Sequence, residues 1–250
     1  MDIPRYNVLG VRISALDPEL ARQAILEAVA QRRKGYVCVT GVHGVMESQD
    51  DPALRDIHNR AFLCTPDGMP MVWLGHRRGH PHVRRVYGPD LMLDLMAVPG
   101  LRHFFYGGAG GVTTVLQQRM EARFPGVQIV GVHEPPFRPL TDAELAALSR
   151  QVAEARPDIM WIGLSTPKQE RFMAEHLERL ETTLMIGVGA AFDFHAGRVP
   201  QAPRWMQRCG LEWFYRLCRE PRRLGPRYLK NNPRFVFYLL CEALGWRRSS

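Results

Sequence analysis

The sequence predicts an α/β fold, in which a Rossmann-like, mostly parallel sheet carries helices on both faces and a basic helical appendage follows at the C-terminus. Two observations lead to this fold class. Short apolar runs alternate with helical patterns through residues 1–196, which is typical of strands joined by crossover helices. Beyond that point the sequence becomes basic and aromatic. We therefore predict an α/β core at 1–196 and an appendage at 197–250.

The individual elements follow from local signals. Strands are predicted where short apolar runs are bounded by turn residues, at 36–40, 61–65, 103–106, 127–132, 158–163 and 183–189. The helices begin at capping signals, such as Asp17 before Pro18 and Thr141 three residues before Glu144. The predicted helices cover 17–34, 112–124, 141–155 and 167–180, with a further helix starting at 51.

The net charge of +8 is concentrated in the appendage. Residues 198–250 contain twelve basic and three acidic residues, a net of +9, whereas residues 1–197 contain 21 basic and 22 acidic residues, a net of −1. The same C-terminal segment holds three Trp, three Phe and three Tyr residues. A segment that is both basic and aromatic suits an anionic partner, which can be a phosphate-bearing ligand, a membrane surface or a nucleic acid.

Composition and hydropathy exclude several classes of protein. Apolar residues make up 46% and charged residues 23% of the chain, so it is neither disordered nor collagen-like. No window reaches the about 20 apolar residues that a membrane-spanning helix needs, and no signal peptide is recognised at the N-terminus. The five cysteines are scattered without a CxxC pair, as expected for free thiols in a reducing cytoplasm.

The loops that follow the predicted strands are the candidate site, because ligands of parallel α/β sheets bind at the carboxyl ends of the strands. The loop at 107–111 joins a strand to a helix and contains four glycines. Its backbone N–H groups, including those of Gly107 and Gly108, suit a diphosphate, although a plain tight turn explains the glycines equally well. Thr113 occupies the third position of a G-x-G-x-x-G pattern, and no GK[ST] follows.

Three polar side chains lie in comparable loops, and each has two interpretations. Asp67 lies between Pro66 and Gly68, where it is either a turn former or a general base. Asp193 follows another apolar run and leaves the same choice. Gln169 either contacts a sugar or base edge as donor and acceptor, or belongs to the first turn of its helix.

Metal ligation is not expected from this sequence. His76, His80 and His82 lie among arginines that would repel a cation, so we interpret them as a solvated basic loop. No Asp-x-Asp pair is present to hold a metal beside a nucleotide sugar, and no Gly-x-Ser-x-Gly nucleophile motif occurs.

The arginines of the appendage recur at helical spacing. They are Arg216, Arg219, Arg223 and Arg227. One continuous helix would align them, but prolines at 221 and 226 predict interruptions and hence several short helices. The arginines then form either a solvated helical face or a surface that contacts a membrane or clamps a phosphate.

Several stretches, taken in order, resemble one glycosyltransferase family. They are TPDGMP at 65–70, RVYGPDL at 85–91, FYGG at 105–108, GLSTPKQE at 163–170, GVGAAFDFHAG at 187–197, APRWMQ at 202–207 and LEWFYRLCREPRR at 211–223. They are similar to the WecG/TagA/CpsF glycosyltransferases, the bacterial N-acetylmannosaminyltransferase family known as glycosyltransferase family 26. The resemblance covers about 6–237. It implies inverting, metal-independent transfer of a sugar from a UDP-sugar to a sugar on an undecaprenyl-diphosphate lipid.

The resemblance also implies roles for individual residues. Asp67 matches the position of the catalytic base, and Thr40 matches a threonine at the donor pocket. Arg85 and Gln169 match polar residues of the same cleft. Two arginines of the appendage match residues that close over the donor diphosphate, namely Arg216 and Arg223. Without a metal, such arginines and helix N-termini must stabilise the leaving UDP.

The first strand-end loop departs from the family pattern. Members often have Thr-x-Asn there, whereas this chain has Val42 at the Asn position and His43 next to it. His43 either replaces the missing donor or acceptor group or packs the loop. The identity of the transferred sugar depends on this position.

Together these features predict a glycosyltransferase of surface or exopolysaccharide biosynthesis that takes a UDP-sugar, an N-acetylmannosamine-like or related hexose, and needs no cofactor or metal. We expect it at the cytoplasmic face of the membrane, held peripherally by the appendage, without a nucleic-acid partner; homo-oligomerisation stays open. One alternative is an NAD(P)-dependent Rossmann oxidoreductase that uses the glycine loop. Another is a nucleic-acid-binding protein that uses the basic appendage.

Overall fold

The computed structural model describes residues 2–246, so positions 247–250 of the predicted appendage lie outside the described residues. The chain divides into two compact units. Unit 1 combines three segments, 1–17, 40–87 and 201–250, and unit 2 combines 18–39 and 88–200. The predicted core at 1–196 is therefore built from both units, and the C-terminal segment belongs to unit 1.

Unit 2 contains a parallel sheet. Its strands, given in spatial order, are β3 (Gly35–Thr40), β8 (Leu184–Gly187), β7 (Ile159–Gly163), β5 (Arg102–Gly107) and β6 (Gln128–His133). Neighbouring strands run parallel, with Tyr36 beside Met185 and Phe105 beside Trp161. The last residue of β3, Thr40, belongs to unit 1. Four of these strands are largely buried apolar runs, as parallel strands covered on both faces should be, whereas β6 at the end of the sheet is partly exposed.

The helices of unit 2 connect these strands. They are α1 (Pro18–Ala30), α5 (Gly88–Met96), α6 (Val112–Arg123), α7 (Asp142–Ala155), α8 (Lys168–His176) and α9 (Ala191–His195). Helix α7 begins at the predicted capping box, in which the Thr141 hydroxyl accepts from the Glu144 N–H at 3.3 Å and the Glu144 carboxylate accepts from the Thr141 N–H at 2.8 Å. The predicted α/β fold class is confirmed.

Unit 1 begins with an antiparallel hairpin of β1 (Arg5–Val8) and β2 (Val11–Ser14). The middle segment adds α2 (Val42–Asp50), α3 (Pro52–Arg60), β4 (Leu63–Pro66) and α4 (Met69–Arg77). The C-terminal segment forms α10 (Arg204–Arg208), α11 (Glu212–Arg219) and α12 (Pro221–Ala243). Helix α12 packs on α2 and α11.

The predicted interruption of the C-terminal helix at position 226 is wrong. Glu220 separates α11 from α12, and Pro221 lies in the first turn of α12, where its missing N–H costs nothing. Pro226 and Pro233, however, both lie inside the continuous 23-residue helix. Leu224 and Phe235 on this helix are buried, so tertiary packing outweighs the local penalty of the prolines.

Candidate active site

Asp67 lies in the turn that follows β4, as the sequence predicts. Its backbone N–H donates a hydrogen bond of 2.9 Å to the carbonyl oxygen of Thr40 at the end of β3. Gly68 then adopts a φ of +91°, which favours glycine and turns the chain into α4. Thr40 is itself held by the thiol of Cys64, whose Sγ lies 3.2 Å from the Thr40 hydroxyl. The structure therefore brings two of the predicted site residues, Thr40 and Asp67, side by side.

Arg85 is the third predicted residue at this place. Its Nε donates to Oδ1 of Asp67 at 3.0 Å, and its Nη2 lies 3.0 Å from the same oxygen. The same Nη2 lies 2.7 Å from Oε2 of Glu212, at the start of α11. One guanidinium thus bridges two carboxylates.

Tyr87 completes this cluster. Its hydroxyl donates to Oε1 of Glu212 at 3.1 Å, and its ring centroid lies 4.0 Å from Cζ of Arg85. Burial raises the pKa of Tyr87 well above its ordinary value, and the negative charges of Glu212 and Asp67 raise it further. The phenol therefore stays protonated and keeps its hydrogen bond to the carboxylate.

The charge balance of the cluster stabilises Arg85 as a cation. Burial alone would lower the pKa of Arg85, but the neighbouring Asp67 and Glu212 raise it above its ordinary value. The side chain of Asp67 is 29% exposed, about twice the 15% of Arg85. A carboxylate that is fixed in position yet reachable from solvent is suited to accept a proton from a hydroxyl group.

A second cluster in unit 1 consists of arginines from the C-terminal segment. Arg227 is half-buried, and its pKa is lowered first by burial and then by the positive charges of Arg216 and Arg223. Arg223 also pairs with Glu220, at 2.7 Å. Like charges are costly when they are held together, and a polyanionic ligand would offset that cost. Arg216 and Arg223 were predicted for the site, and their charges act on Arg227.

His43 lies in the first turn of α2 and contacts α12. Nδ2 of Asn231 lies 3.0 Å from Nδ1 of His43, and that ring nitrogen lies 3.6 Å from a carboxylate oxygen of Glu47. Asn231 is buried, and it also donates to Glu47 at 3.3 Å. His43, which follows the position that departs from the family pattern, therefore connects α2 to the C-terminal helix α12.

The glycine loop of unit 2 uses its backbone groups internally. Gly107 has a φ of +129°, and a Cβ there would lie 2.6 Å from the backbone carbon of Gly163. The N–H of Gly108 donates to the Gly163 carbonyl at 3.2 Å. Close approach of two backbones therefore explains the glycine at position 107.

The N-terminus of α6, which follows this loop, holds a carboxylate of the protein itself. The N–H groups of Gly111 and Thr113 donate to Glu134 at 3.0 and 2.9 Å, and the Thr113 hydroxyl donates to it as well. Burial would raise the pKa of Glu134, but these hydrogen bonds outweigh it and lower the pKa. The sequence left this loop open between a diphosphate site and a plain turn, and the structure shows the N–H groups of Gly111 and Thr113 bound by Glu134.

Gln169 and Asp193, the other predicted residues of unit 2, both lie in helices. Gln169 is buried in the first turn of α8, and its Nε2 donates to Oε1 of Glu170 at 3.0 Å. That carboxylate also accepts from the Thr166 hydroxyl at 2.9 Å. Asp193 lies inside α9, where its carbonyl oxygen accepts from the Arg198 N–H at 2.9 Å.

The histidines at 76 and 82 bind backbone carbonyls. Nε2 of His76 lies 2.8 Å from the Val83 oxygen, and Nε2 of His82 lies 3.0 Å from the Ala15 oxygen. Among residues 2–246, no group of three or more His, Cys, Asp or Glu side chains is placed to hold a metal ion.

Comparison with known proteins agrees with the motifs at this site. The family model "Glycosyl transferase WecG/TagA/CpsF family" matches residues 6–249. The chain belongs to this family. It is a glycosyltransferase.

Curated relatives align with most of the chain. A Bacillus subtilis (strain 168) protein is 29% identical over 237 residues, which is 94% of this chain and 80% of that protein. A Staphylococcus aureus (strain MW2) protein is 27% identical over 188 residues, or 74% of this chain and 71% of that protein. Both are named N-acetylglucosaminyldiphosphoundecaprenol N-acetyl-beta-D-mannosaminyltransferase.

Three residues that interact with the predicted ones were not themselves predicted for the site: Tyr87, Arg227 and Glu212. Tyr87 lies within the motif at 85–91, two residues after Arg85, and Arg227 continues the helical spacing of the tail arginines. Glu212 had a weaker signal, since it is one of only three acidic residues in the strongly basic segment 198–250. An acidic residue in such a basic segment is a reason to look for a specific cationic partner.

Proposed function

We propose that this chain transfers N-acetylmannosamine or a related hexose from a UDP-sugar to a sugar linked to undecaprenyl diphosphate. The transfer inverts the anomeric centre and uses no metal. The observation that carries the proposal is the Asp67 carboxylate, which Arg85 holds in position. The chain belongs to the WecG/TagA/CpsF family, and its relatives are named as N-acetylmannosaminyltransferases of N-acetylglucosaminyldiphosphoundecaprenol. The product would enter surface or exported polysaccharide biosynthesis.

Asp67 acts as the general base in this proposal. Its carboxylate takes the proton from the acceptor hydroxyl while that oxygen forms a bond to the anomeric carbon. The bond between the anomeric carbon and the diphosphate oxygen breaks, and its electron pair leaves with UDP. Attack from the face opposite UDP inverts the configuration.

The arginines of the C-terminal segment supply positive charge for the leaving diphosphate. Arg227 is half-buried beside Arg216 and Arg223, and its lowered pKa reflects first its burial and then those two charges. Guanidinium groups bind phosphate oxygens through paired N–H donors, which a pyrophosphate can match. These cations stabilise the charge that develops on UDP in the transition state.

The membrane is the proposed place of the reaction. Helix α12 exposes four large apolar residues, Leu229, Val236, Phe237 and Leu240, and Leu244 directly after it is exposed as well. Within the described residues no helix is long and apolar enough to cross a membrane. We propose that this exposed face lies on the anionic cytoplasmic surface of the bilayer, where basic residues such as Lys230 and Arg222 add electrostatic attraction.

The decisive experiment is a transfer assay with radiolabelled UDP-sugars and a short-chain prenyl-diphosphate-linked N-acetylglucosamine. Asp67→Asn should lower turnover by about a hundredfold or more, because it removes the base and keeps the size of the side chain. Asp56→Asn, a change of the same kind at an exposed position of α3, should keep wild-type turnover. Near-wild-type transfer by Asp67→Asn contradicts the base assignment.

The metal-independence and the donor are tested in the same assay. Excess EDTA should leave turnover unchanged. A rise in melting temperature with UDP-sugars, and none with NAD, should distinguish this function from the oxidoreductase alternative. The glycine loop gives that alternative little support, since its hydrogen bonds run to Gly163 and Glu134.

A further inference from the structure

We propose, on the basis of the function proposed above, that Glu212 is a positioning residue for the transfer reaction. It shares the guanidinium of Arg85 with Asp67, and this sharing keeps Asp67 a competent base.

Glu212 and Asp67 are both close partners of Arg85. Nη2 of Arg85 lies 2.7 Å from Glu212 and 3.0 Å from Asp67. The Glu212 side chain is 13% exposed, against 29% for Asp67. Attraction between enclosed charges is screened less by solvent than attraction at the surface. Arg85 is therefore held by Glu212 as well as by the base, to which its Nε also donates at 3.0 Å.

The sharing of Arg85 between two carboxylates matters for the role of Asp67 as the base. A carboxylate that alone neutralises an arginine holds its lone pairs in the ion pair and accepts a proton poorly. With Glu212 present, the three charged groups carry a net charge of −1, so Asp67 does not neutralise the arginine alone. Arg85 can then orient Asp67 through the 3.0 Å bond from Nε.

Tyr87 holds Glu212 in this arrangement. Its hydroxyl donates to Oε1 of Glu212, which leaves Oε2 directed at Arg85. The ring of Tyr87 lies against the guanidinium and limits its movement. Each of the four side chains is thus fixed by another, and Glu212 links α11 to the base.

The test uses the full chain in the transfer assay, with kcat, donor KM and the pH dependence of kcat measured together. Glu212→Gln keeps the size of the side chain but removes its charge. We expect kcat to fall by about tenfold while the donor KM changes less than about twofold. Because Arg85 then pairs with Asp67 alone, the acid limb of the profile should move to lower pH.

Two further variants separate positioning from structural support. Glu212→Asp should recover part of kcat and return the acid limb toward the wild-type pH. Tyr87→Phe should shift the limb in the same direction as Glu212→Gln, by a smaller amount. Glu242→Gln removes a carboxylate of α12 that pairs with Arg78 at 2.9 Å, and it should leave kcat and the profile unchanged.

The outcomes distinguish this inference from the proposed function. If Asp67→Asn is inactive but Glu212→Gln keeps the wild-type kcat and acid limb, the positioning role is overturned and the base assignment stands. If Glu212→Gln lowers the melting temperature and kcat with an unmoved acid limb, Glu212 has a structural role only, which also overturns the inference. Full activity of Asp67→Asn, or no transfer by the wild type, overturns the proposed function itself.

Discussion

The backbone N–H of Asp67 donates a hydrogen bond of 2.9 Å to the carbonyl oxygen of Thr40, so two loops that are distant in sequence meet at their backbones. Gly41 makes this approach sterically feasible. A Cβ at position 41 would lie 2.8 Å from the carbonyl oxygen of Asp67, closer than real Cβ atoms come to other heavy atoms. The position of the Asp67 carboxylate therefore depends on a residue without a side chain.

Gly41→Ala should displace the Asp67 turn and lower both activity and stability. Its φ of −114° is accessible to alanine, so the effect comes from the close contact and not from backbone strain. We expect a loss of about 1–3 kcal/mol in the free energy of unfolding and at least a tenfold loss of turnover. Urea unfolding and the transfer assay measure the two effects.

Gly225→Ala is the matched control for that substitution. Position 225 lies inside α12, and the nearest atom to a new Cβ is 3.9 Å away. Alanine there should raise the free energy of unfolding by up to about 1 kcal/mol, because it is the better helix former. Equal destabilisation by both substitutions would contradict the steric explanation.

Arg227→Gln should stabilise the protein and weaken donor binding. The pKa of Arg227 is lowered by burial and by Arg216 and Arg223, which means that its charge is unfavourable in the ligand-free protein. Removing that charge should raise the melting temperature, while the KM for the UDP-sugar should rise by about tenfold. Thermal unfolding with and without UDP measures both effects, and UDP should stabilise the variant less than the wild type.

An exposed arginine of the same segment provides the control. Arg208→Gln removes one positive charge at the end of α10 and should change neither the melting temperature nor the donor KM appreciably. A wild-type donor KM in the Arg227→Gln variant would show that Arg227 does not contact the diphosphate.

Local signals in the sequence predicted most of the sheet and its connecting helices. The capping box at Thr141 and the apolar runs of β5 and β7 depend only on neighbouring residues, and these elements appear where they were expected. The β1–β2 hairpin was not predicted. Its turn places Leu9 at a φ of +52°, a conformation for which leucine carries no sequence signal.

Contacts between segments that are distant in sequence could not be predicted from such local signals. Asp67 and Arg85 were found through motifs, but the Tyr87–Glu212 hydrogen bond spans 125 residues and belongs to no local pattern. The same applies to Glu134, whose carboxylate binds the N–H of Gly111 from 23 residues away. The predicted helix interruption at Pro226 was wrong for the opposite reason. The local rule that proline interrupts a helix was outweighed by the packing of α12 on α2 and α11.

Leu240→Glu should reduce binding to anionic vesicles without changing turnover on a water-soluble acceptor. Leu240 is 57% exposed on α12, so its replacement removes apolar surface from the proposed membrane face and leaves the interior intact. Sedimentation with vesicles that contain phosphatidylglycerol measures the binding. Phe137→Glu introduces the same charge at another exposed residue and should keep wild-type sedimentation; equal binding by all three proteins would argue against the α12 face.

His103 should make the stability of the protein depend on pH between about 6.5 and 4. It is fully buried in β5, and its Nδ1 accepts a hydrogen bond of 3.2 Å from Nε1 of Trp161. Burial lowers the pKa of His103 to about 4. In this pH range the unfolded chain binds a proton that the folded chain excludes, so stability falls as the pH falls.

The predicted contribution is testable by urea unfolding at pH 7.5 and pH 5. A folded pKa near 4 against an unfolded value near 6.5 gives a loss of about 2 kcal/mol at pH 5 from this residue. His103→Gln should be less stable than the wild type at pH 7.5, since it disturbs the contact with Trp161, but should lack this part of the pH dependence. The two proteins should therefore approach each other in stability as the pH falls. A constant difference between His103→Gln and the wild type across this range would mean that His103 takes up its proton without unfolding.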